Sequence, residues 1–545
     1  TLVVSAPTLP GTTTFDEDAE GRKFRKDKSV SAILHDSLPI RNWDHHLGPD
    51  QDRLFVADTD PTVVAEGQRV PLRDLTPTPG FALDDASFDV TPDGRTAVTT
   101  WNVREEGGET RVDLVAIDLR SGERTTLASD SGYVFGAPVV SSDGRGVVTI
   151  RERLATDDEP TRLTLWLVDL DSGEGRDLTP DLDLWPHGAQ WSPDGRTVYF
   201  LADEQGRGPV FAVEVASGAV RRLTRDGTYS DLQVSPDGTT LYALRTTVDA
   251  PPEPVRLAAD AVDQQPTFLR GPVERPELPG TLTEVTATAE DGTPLRAWLV
   301  LPEGASAGGP APLLLWIHGG PYASWNGWQW RWNPWLAAAR GYAVLLPDPA
   351  LSTGYGQGFL RRGYRAWGGA PYTDLMTLTD VAVAREDVDE SRTAAMGGSF
   401  GGYMANWVAG HTDRFDAIVT HASLWALDQF GHTTDFPAEW KRELPPDAAH
   451  ENSPHRFANA ITTPMLVIHG DRDYRVPVGE ALRLWTDLVS RHRGSWEELP
   501  HRFLYFPDEN HWILSPNHVK VWYDTVFAFL AWHVLGKGWE PPAHV

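Results

Sequence analysis

Four stretches in the first half of the chain repeat one design. They read TPDGRTAVTT (91–100), SSDGRGVVTI (141–150), SPDGRTVYFL (192–201) and SPDGTTLYAL (235–244). In each, an Asp-Gly turn leads into alternating or β-branched residues, the pattern of a β-hairpin. Their glycines, Gly94, Gly144, Gly195 and Gly238, lie 50, 51 and 43 positions apart. A second turn series is interleaved: IDLRSGERTTL from Ile117, VDLDSGEGRDLT from Val168 and VEVASGAVRRLT from Val213. Two hairpins per period make a four-stranded sheet, and a period near 45–50 residues is that of a β-propeller blade. A sandwich with coincidental turns is the alternative. GPDQDRLFVAD (48–58) reads as an earlier, degenerate copy, which gives about five blades. Residues 1–35, with the charge run DEDAEGRKFRKDK, do not read as further complete blades.

Past a Pro-rich boundary, GPVERPELPG (271–280), the pattern changes. LLLWIHGG (313–320), YAVLLPD (342–348), TAAMGGS (393–399) and PMLVIHG (464–470) are short apolar runs ending in Gly, Asp or Ser. Between them lie helix-like segments such as 372–386 and 478–492. Buried strands alternating with helices predict a parallel α/β sheet, with chemistry at the carboxyl ends of its strands. The expected fold is therefore an N-terminal β-propeller over 1–275 followed by an α/β-hydrolase domain over 280–545. Two or three domains also suit a chain of 545 residues.

The strand ends carry chemistry. Gly397, Gly398, Ser399, Phe400 and Gly401 fit G-x-S-x-G, the turn that lifts a serine nucleophile above a sheet. In that fold the partners follow in the order Ser, Asp or Glu, then His. DRDYRVP after PMLVIHG offers Asp471 and Asp473, and FPDENHW offers His511. Spacing alone does not choose between the two aspartates. His518, seven positions on, is a second candidate base but falls in a predicted helix. His421, His432 and His455 read as ordinary surface or supporting residues. HGGP (318–321) places a flexible turn after a strand, so the Gly320 N–H can join the Phe400 N–H as an oxyanion hole.

Composition narrows the chemistry. The absence of cysteine excludes disulfides, thiolate catalysis and Cys-ligated zinc. A net charge of −29 disfavours nucleic acid and anionic membrane as partners. No apolar run approaches the ~20 residues that span a bilayer. No signal-peptide pattern opens the chain, which suits a cytoplasmic protein; the first residue is Thr, so secretion of a processed form is compatible too. No cofactor or metal is expected.

Together HGGP, STGYGQGF (352–359), GGSFGGYM, HGDRDYRVP (469–477) and FPDENHW (506–512) resemble the prolyl oligopeptidase family of serine peptidases. The resemblance covers nearly all of 280–545, and it selects Asp473 and His511 to complete a triad with Ser399. The HGGP form resembles the acylaminoacyl-peptidase and aminopeptidase branch. His318 stands where other branches carry a tyrosine that serves the oxyanion hole, which places it beside the substrate. The family's N-P-R-G-S segment reads DPALS (348–352) here, without its arginine. LPIRNWDHHLGPDQDRLF (38–55) is similar to a segment of actinobacterial aminopeptidases.

The resemblance implies hydrolysis of short peptides admitted past the propeller, and in this family self-association into homo-oligomers is common. An aminopeptidase for unblocked N-termini is the favoured expectation, with an acylaminoacyl peptidase the close alternative. A carboxypeptidase or an esterase is more remote, as is a propeller binding module whose hydrolase domain is inactive. A free α-amine needs a carboxylate partner. Asp435, Glu439 and Glu443, in an insertion after the strand that follows the serine helix, are the candidates. Trp325, Trp328 and Trp330 are candidates for an apolar wall around the substrate side chain, or for packing between domains.

Overall fold

A computed structural model of the chain describes residues 1–57 and 70–543. The end of the degenerate first repeat, Asp58, lies outside the described residues. Each Asp-Gly repeat opens one antiparallel meander, and the turns are built alike. The hydroxyls of Thr91, Ser141, Ser192 and Ser235 donate to Asp93, Asp143, Asp194 and Asp237, at 2.7, 2.6, 2.6 and 2.6 Å. The four turn glycines have φ between 67° and 72°, a region that side-chain-bearing residues avoid. The repeat thus encodes a turn geometry as well as a hydrophobic pattern.

The meanders follow one another as blades. The first complete one runs through Phe88–Val90, Thr96–Arg104, Thr110–Asp118 and Arg124–Ala128, and the next through Tyr133–Val140, Gly146–Arg153, Arg162–Asp169 and Gly175–Asp177. Two further four-stranded sheets span 186–222 and 228–268. Buried apolar clusters seal neighbouring sheets together, for example Val148 and Leu165 of one blade against Val198 and Phe200 of the next. Face-to-face stacking of successive meanders is propeller packing, which removes the sandwich alternative.

The degenerate repeat forms Gln51–Ala57, and the segment Leu2–Thr8 pairs antiparallel with it, as does the short strand Arg73–Asp74. The first 35 residues therefore supply an edge strand to the first sheet. The charge run that follows is the helix Phe15–Asp27, whose Thr14 cap accepts the Glu17 N–H.

The second domain is an eight-stranded sheet. Its strands are β1 (Gly280–Thr288), β2 (Pro294–Pro302), β3 (Ala311–Ile317), β4 (Ala343–Asp348), β5 (Val388–Gly398), β6 (Ala417–His421), β7 (Met465–Gly470) and β8 (Arg502–Phe506). They lie in the order β1-β2-β4-β3-β5-β6-β7-β8, parallel from β4 onward. Alternation along β3 explains the two layers of helix. Leu313, Leu315 and Ile317 pack on the face that carries the helices Ala370–Val383 and Phe400–His411. Leu314 and Trp316 pack on the other face, against Pro334–Ala338 and Pro516–His533. No helix among the described residues is long and apolar enough to cross a membrane.

One propeller carboxylate ties both loops beside the sheet's carboxyl edge to the blades. Asp203 accepts from the Thr353 hydroxyl at 2.6 Å and from the Asn326 amide at 2.7 Å. The Gly354 backbone approaches so closely that an added Cβ would lie 2.9 Å from Asp203. Asp203→Ala leaves these donors without their acceptor, so unfolding stability should fall by roughly 2 kcal/mol. The kcat/KM should fall with it, because both loops border the site described next. Thermal unfolding and steady-state kinetics check this, and an unchanged melting temperature would remove Asp203 from the account.

Candidate active site

Ser399 sits between the end of β5 and the helix Phe400–His411, with φ 58° and ψ −124°. A serine held in this region is strained, and surrounding contacts enforce it. Its N–H donates to the His421 carbonyl of β6 at 3.0 Å. The flanking glycines are needed for close approach. A Cβ on Gly401 would stand 2.2 Å from the Ile317 carbonyl, and one on Gly397 would stand 2.4 Å from Gly401. A Cβ on Gly398 would come nearest the His421 ring, at 3.3 Å, with the His421 carbonyl and the Trp332 ring at 3.8 Å. It is Gly402 that lets neighbouring backbone come near, since a Cβ there would be 2.7 Å from the His421 carbonyl.

Asp473 and His511 meet beside this turn. The Asp473 carboxylate accepts from His511 Nδ1 at 2.7 Å and from the Val476 N–H at 2.8 Å. His469 Nε2, which donates to the Val476 carbonyl at 2.7 Å, stands 3.3 Å away as a second partner. Burial pushes the Asp473 pKa up, but His511 and His469 outweigh it and hold the carboxyl well below the usual range. It is therefore ionised wherever the protein is folded near neutrality. The other candidate, Asp471, is exposed, and His518 is turned to Glu509 at 2.5 Å. Ser399 and His511 line one cavity of about 370 Å³. Among the described residues none is hydrogen-bonded to the Ser399 hydroxyl, which leaves it open to the cavity.

The HGGP loop abuts the serine turn: a Cβ on Gly319 would lie 3.0 Å from the Gly398 carbonyl. His318 is buried, and burial pulls its pKa down, so the ring is neutral. Its Nδ1–H donates to the Gly319 carbonyl at 2.7 Å, and its Nε2 faces the Ser352 hydroxyl at 2.8 Å. Across a trans peptide the carbonyl and the following N–H point opposite ways. Fixing the Gly319 carbonyl thus fixes the Gly320 N–H. Neither that N–H nor the Phe400 N–H donates to another group among the described residues.

Sequence reasoning missed two parts of this site. His421, read as a surface or supporting histidine with no partner named, is buried on the cavity wall as a supporting residue. Its Nε2 donates to the His511 carbonyl at 3.2 Å and its Nδ1 accepts from Trp522 at 3.3 Å. Burial, with the neighbouring His469 and His511, pushes its pKa down to about 3, so it stays neutral. Its backbone holds Ser399 and its ring holds His511. The second missed part is the segment around Trp43, a two-stranded hairpin (Arg41–Asn42 with His45–His46) reaching in from the propeller side. Trp43, at φ 56°, packs its ring 5.2 Å from His511 and 4.6 Å from Trp512.

The carboxylates expected to bind an amine are committed elsewhere, and none of the three lines the cavity. Asp435 is buried and accepts from Arg475 and from the Trp43 N–H, both at 2.7 Å, so it anchors the hairpin. Glu439 pairs with Arg442 at 2.8 Å. Glu443 accepts from the Tyr322 hydroxyl at 2.8 Å behind the aromatic wall. That wall consists of Trp367, Phe400, Phe430 and Trp440, with ring centroids 5.1–5.7 Å apart. Of the three tryptophans proposed for it, Trp325 does line the cavity. Trp328 hydrogen-bonds to Thr246 of the propeller, and Trp330 is 69% exposed.

Comparison with known proteins places the chain in a family. The prolyl oligopeptidase family model matches residues 328–537, and a TolB β-propeller domain model matches residues 90–257. A probable dipeptidyl-peptidase 5 of Emericella nidulans is 30% identical over an alignment covering 92% of this chain and 73% of the relative. The chain belongs to the prolyl oligopeptidase family. A family member from Porphyromonas gingivalis, named dipeptidyl-peptidase 5, is 27% identical over 92% of this chain and 75% of its own. Among solved structures, the acylaminoacyl peptidase of Pyrococcus horikoshii superposes with a TM-score of 0.77 at 19% identity, covering 98% of this chain and 80% of that one. A puromycin-hydrolyzing peptidase of Mycobacterium tuberculosis gives a TM-score of 0.62 at 22% identity, covering 84% and 72%. The protein is accordingly a serine peptidase with a propeller and an α/β-hydrolase domain.

Two measurements test the site in this peptidase. Asp473→Asn should lower kcat by about 10⁴-fold, because the imidazole loses its orienting carboxylate. Asp471→Asn should change kcat less than twofold, and equal losses would return the choice between them to the open. The second concerns Glu443, whose pKa burial pushes up from 4.5 to about 7, with the Tyr322 and Trp367 hydrogen bonds opposing. Between those values the folded state binds more protons than the unfolded one, so stability falls as pH rises from about 4.5 to about 7. The decline from this group is about 3 kcal/mol at most. In Glu443→Gln, denaturant unfolding at pH 5 and pH 8 should show a correspondingly smaller difference than in wild type.

Proposed function

We propose that this protein hydrolyses short peptides on the carboxyl side of a bulky apolar residue. Ser399 is the nucleophile, His511 the general base and then acid, and Asp473 the group that holds the imidazole. The observation that carries this assignment is the strained Ser399 turn and the Asp473–His511 pair opening on one cavity. Ser399 Oγ attacks the scissile carbonyl while its proton passes to His511 Nε2. The oxyanion receives the N–H groups of Phe400 and Gly320, each worth about 3 kcal/mol in such a hole. His511 then protonates the leaving amine, and water, activated by the same imidazole, hydrolyses the acyl-enzyme.

The side chain before the scissile bond is taken by the wall of Trp367, Phe400, Phe430 and Trp440, a large apolar surface that favours aromatic and long aliphatic residues. Access past the Trp43 hairpin, and a cavity of about 370 Å³, suit a few residues and not a folded chain.

The geometry weakens the expectation of a strict aminopeptidase. Selecting a free α-ammonium takes a carboxylate partner, and among the described residues no carboxylate lines the cavity. We therefore read the enzyme as indifferent to acylation of the substrate's amine, so that aminopeptidase and acylaminoacyl-peptidase activities are two uses of one site. The names of the relatives, dipeptidyl-peptidase 5, are compatible with it, since one more residue would then lie between the side-chain pocket and the amine.

Aryl amides of phenylalanine, N-acetylphenylalanine and an alanyl-phenylalanine dipeptide decide between these. The three kcat/KM values should lie within about tenfold of one another. A preference above a hundredfold for the free amine would restore the strict aminopeptidase. Labelling by a fluorophosphonate should be lost in Ser399→Ala, and a wild type that resists labelling equally would end the peptidase assignment.

A further inference from the structure

The cavity has two unlike walls on either side of Ser399. Phe400, the residue after the serine, faces Trp367 at 5.1 Å and begins the aromatic pocket. Gly398, the residue before it, faces the rings of His421 and Trp332. His511, Trp43, Trp512, Arg331 and Trp332, which line the cavity and pack one against the next, continue this second wall. The acyl part of a peptide needs the aromatic pocket, so the leaving group lies along the second wall, where His511 must reach its nitrogen.

Arg331 is the unpaired one of the two arginines that line the cavity. Its guanidinium lies 4.2 Å from the Trp512 ring centroid and 5.3 Å from that of Trp332. Its Nε is buried without a hydrogen-bond partner, and among the described residues the guanidinium has neither an ion pair nor a hydrogen bond. Arg475, the other arginine of the cavity, is already paired with Asp435. Gln329 lines the same cavity two residues before Arg331, and its amide also has no partner among the described residues. An unpaired guanidinium in a confined site loses hydration, and a planar carboxylate that accepts two parallel N–H bonds restores what is lost.

We propose that Arg331, assisted by the Gln329 amide, is a carboxylate-binding subsite on the leaving-group side. The ligand is the terminal carboxylate of a short leaving group, one amino acid or a very short peptide, released by His511. The chemistry of the reaction is unchanged: the acyl group goes to Ser399, the proton goes to the leaving amine, and the carboxylate stays ionised throughout. The subsite makes the enzyme selective for scissile bonds close to a free C-terminus. This rests on the peptidase assignment above, since it places the leaving group by the role of His511.

The test compares N-acetyl-Phe-Ala as the free acid with the same peptide carrying a C-terminal amide, in wild type, Arg331→Gln and Arg331→Lys. The quantity read is the ratio of kcat/KM for acid over amide, in which general damage to the fold or to Ser399 cancels. The wild-type ratio should exceed ten, Arg331→Gln should bring it to about one, and Arg331→Lys should retain part of it. A wild-type ratio near one overturns the proposal, as does a ratio that Arg331→Gln leaves unchanged, for then the arginine only packs on Trp512. Loss of the peptidase assignment would show separately, as wild type that neither labels with a fluorophosphonate nor cleaves either peptide.

Discussion

At the carboxyl edge of the sheet, backbone from three strands meets at Ser399, and the site depends on how closely they approach. Gly401 touches the end of β3, Gly397 touches Gly401, and the Ser399 N–H is held by the end of β6. There is no room for a Cβ at either glycine, so these positions transmit strand geometry to the nucleophile without an adjustable side chain. The strain at Ser399 is sustained by the parallel sheet around it, whose inner strands are buried on both faces. The same contact orients the Gly320 N–H, because the Gly319–Gly320 peptide rests against the serine turn and His318 fixes its direction.

Around this rigid centre the charged groups divide into those already satisfied and those left open. A buried charge is tolerated when it is paired and hydrogen-bonded. Asp473, Asp435 and Glu439 meet that condition internally, and Glu443 meets it by hydrogen bonding with a raised pKa. Their work is to hold the imidazole, the Trp43 hairpin and the rear of the aromatic wall. In the cavity it is Arg331 that is left unpaired, which turns the cavity's polar character from the acidic one expected to a basic one. For a chain with a net charge of −29 this is a local inversion.

Much of the site was legible because its motifs are local. G-x-S-x-G, HGGP and the loop after β7 each state a backbone turn within a few residues, and a turn needs only its own sequence to be specified. The Asp-Gly repeats were legible for the same reason, while the Asp side chain that braces each turn emerged only in the structure. What could not be read were contacts between residues far apart in the chain. Trp43 meets Asp435 across 392 positions, and Asn510 reaches Asp44 across 466. His421 looks like any histidine until β6 places its carbonyl on Ser399 and its ring on His511. The pairing of Leu2–Thr8 with Gln51–Ala57 likewise spans the helix and hairpin between them.

By itself, then, the sequence determined the two domain types and the reaction class, since periodicity and turn chemistry act over short spans. Only the tertiary structure decided which carboxylates are already paired, which aromatic residues line the cavity and which of its two arginines has no partner. Those are questions of pairing, and whether a charge is satisfied depends on neighbours that folding supplies from elsewhere in the chain.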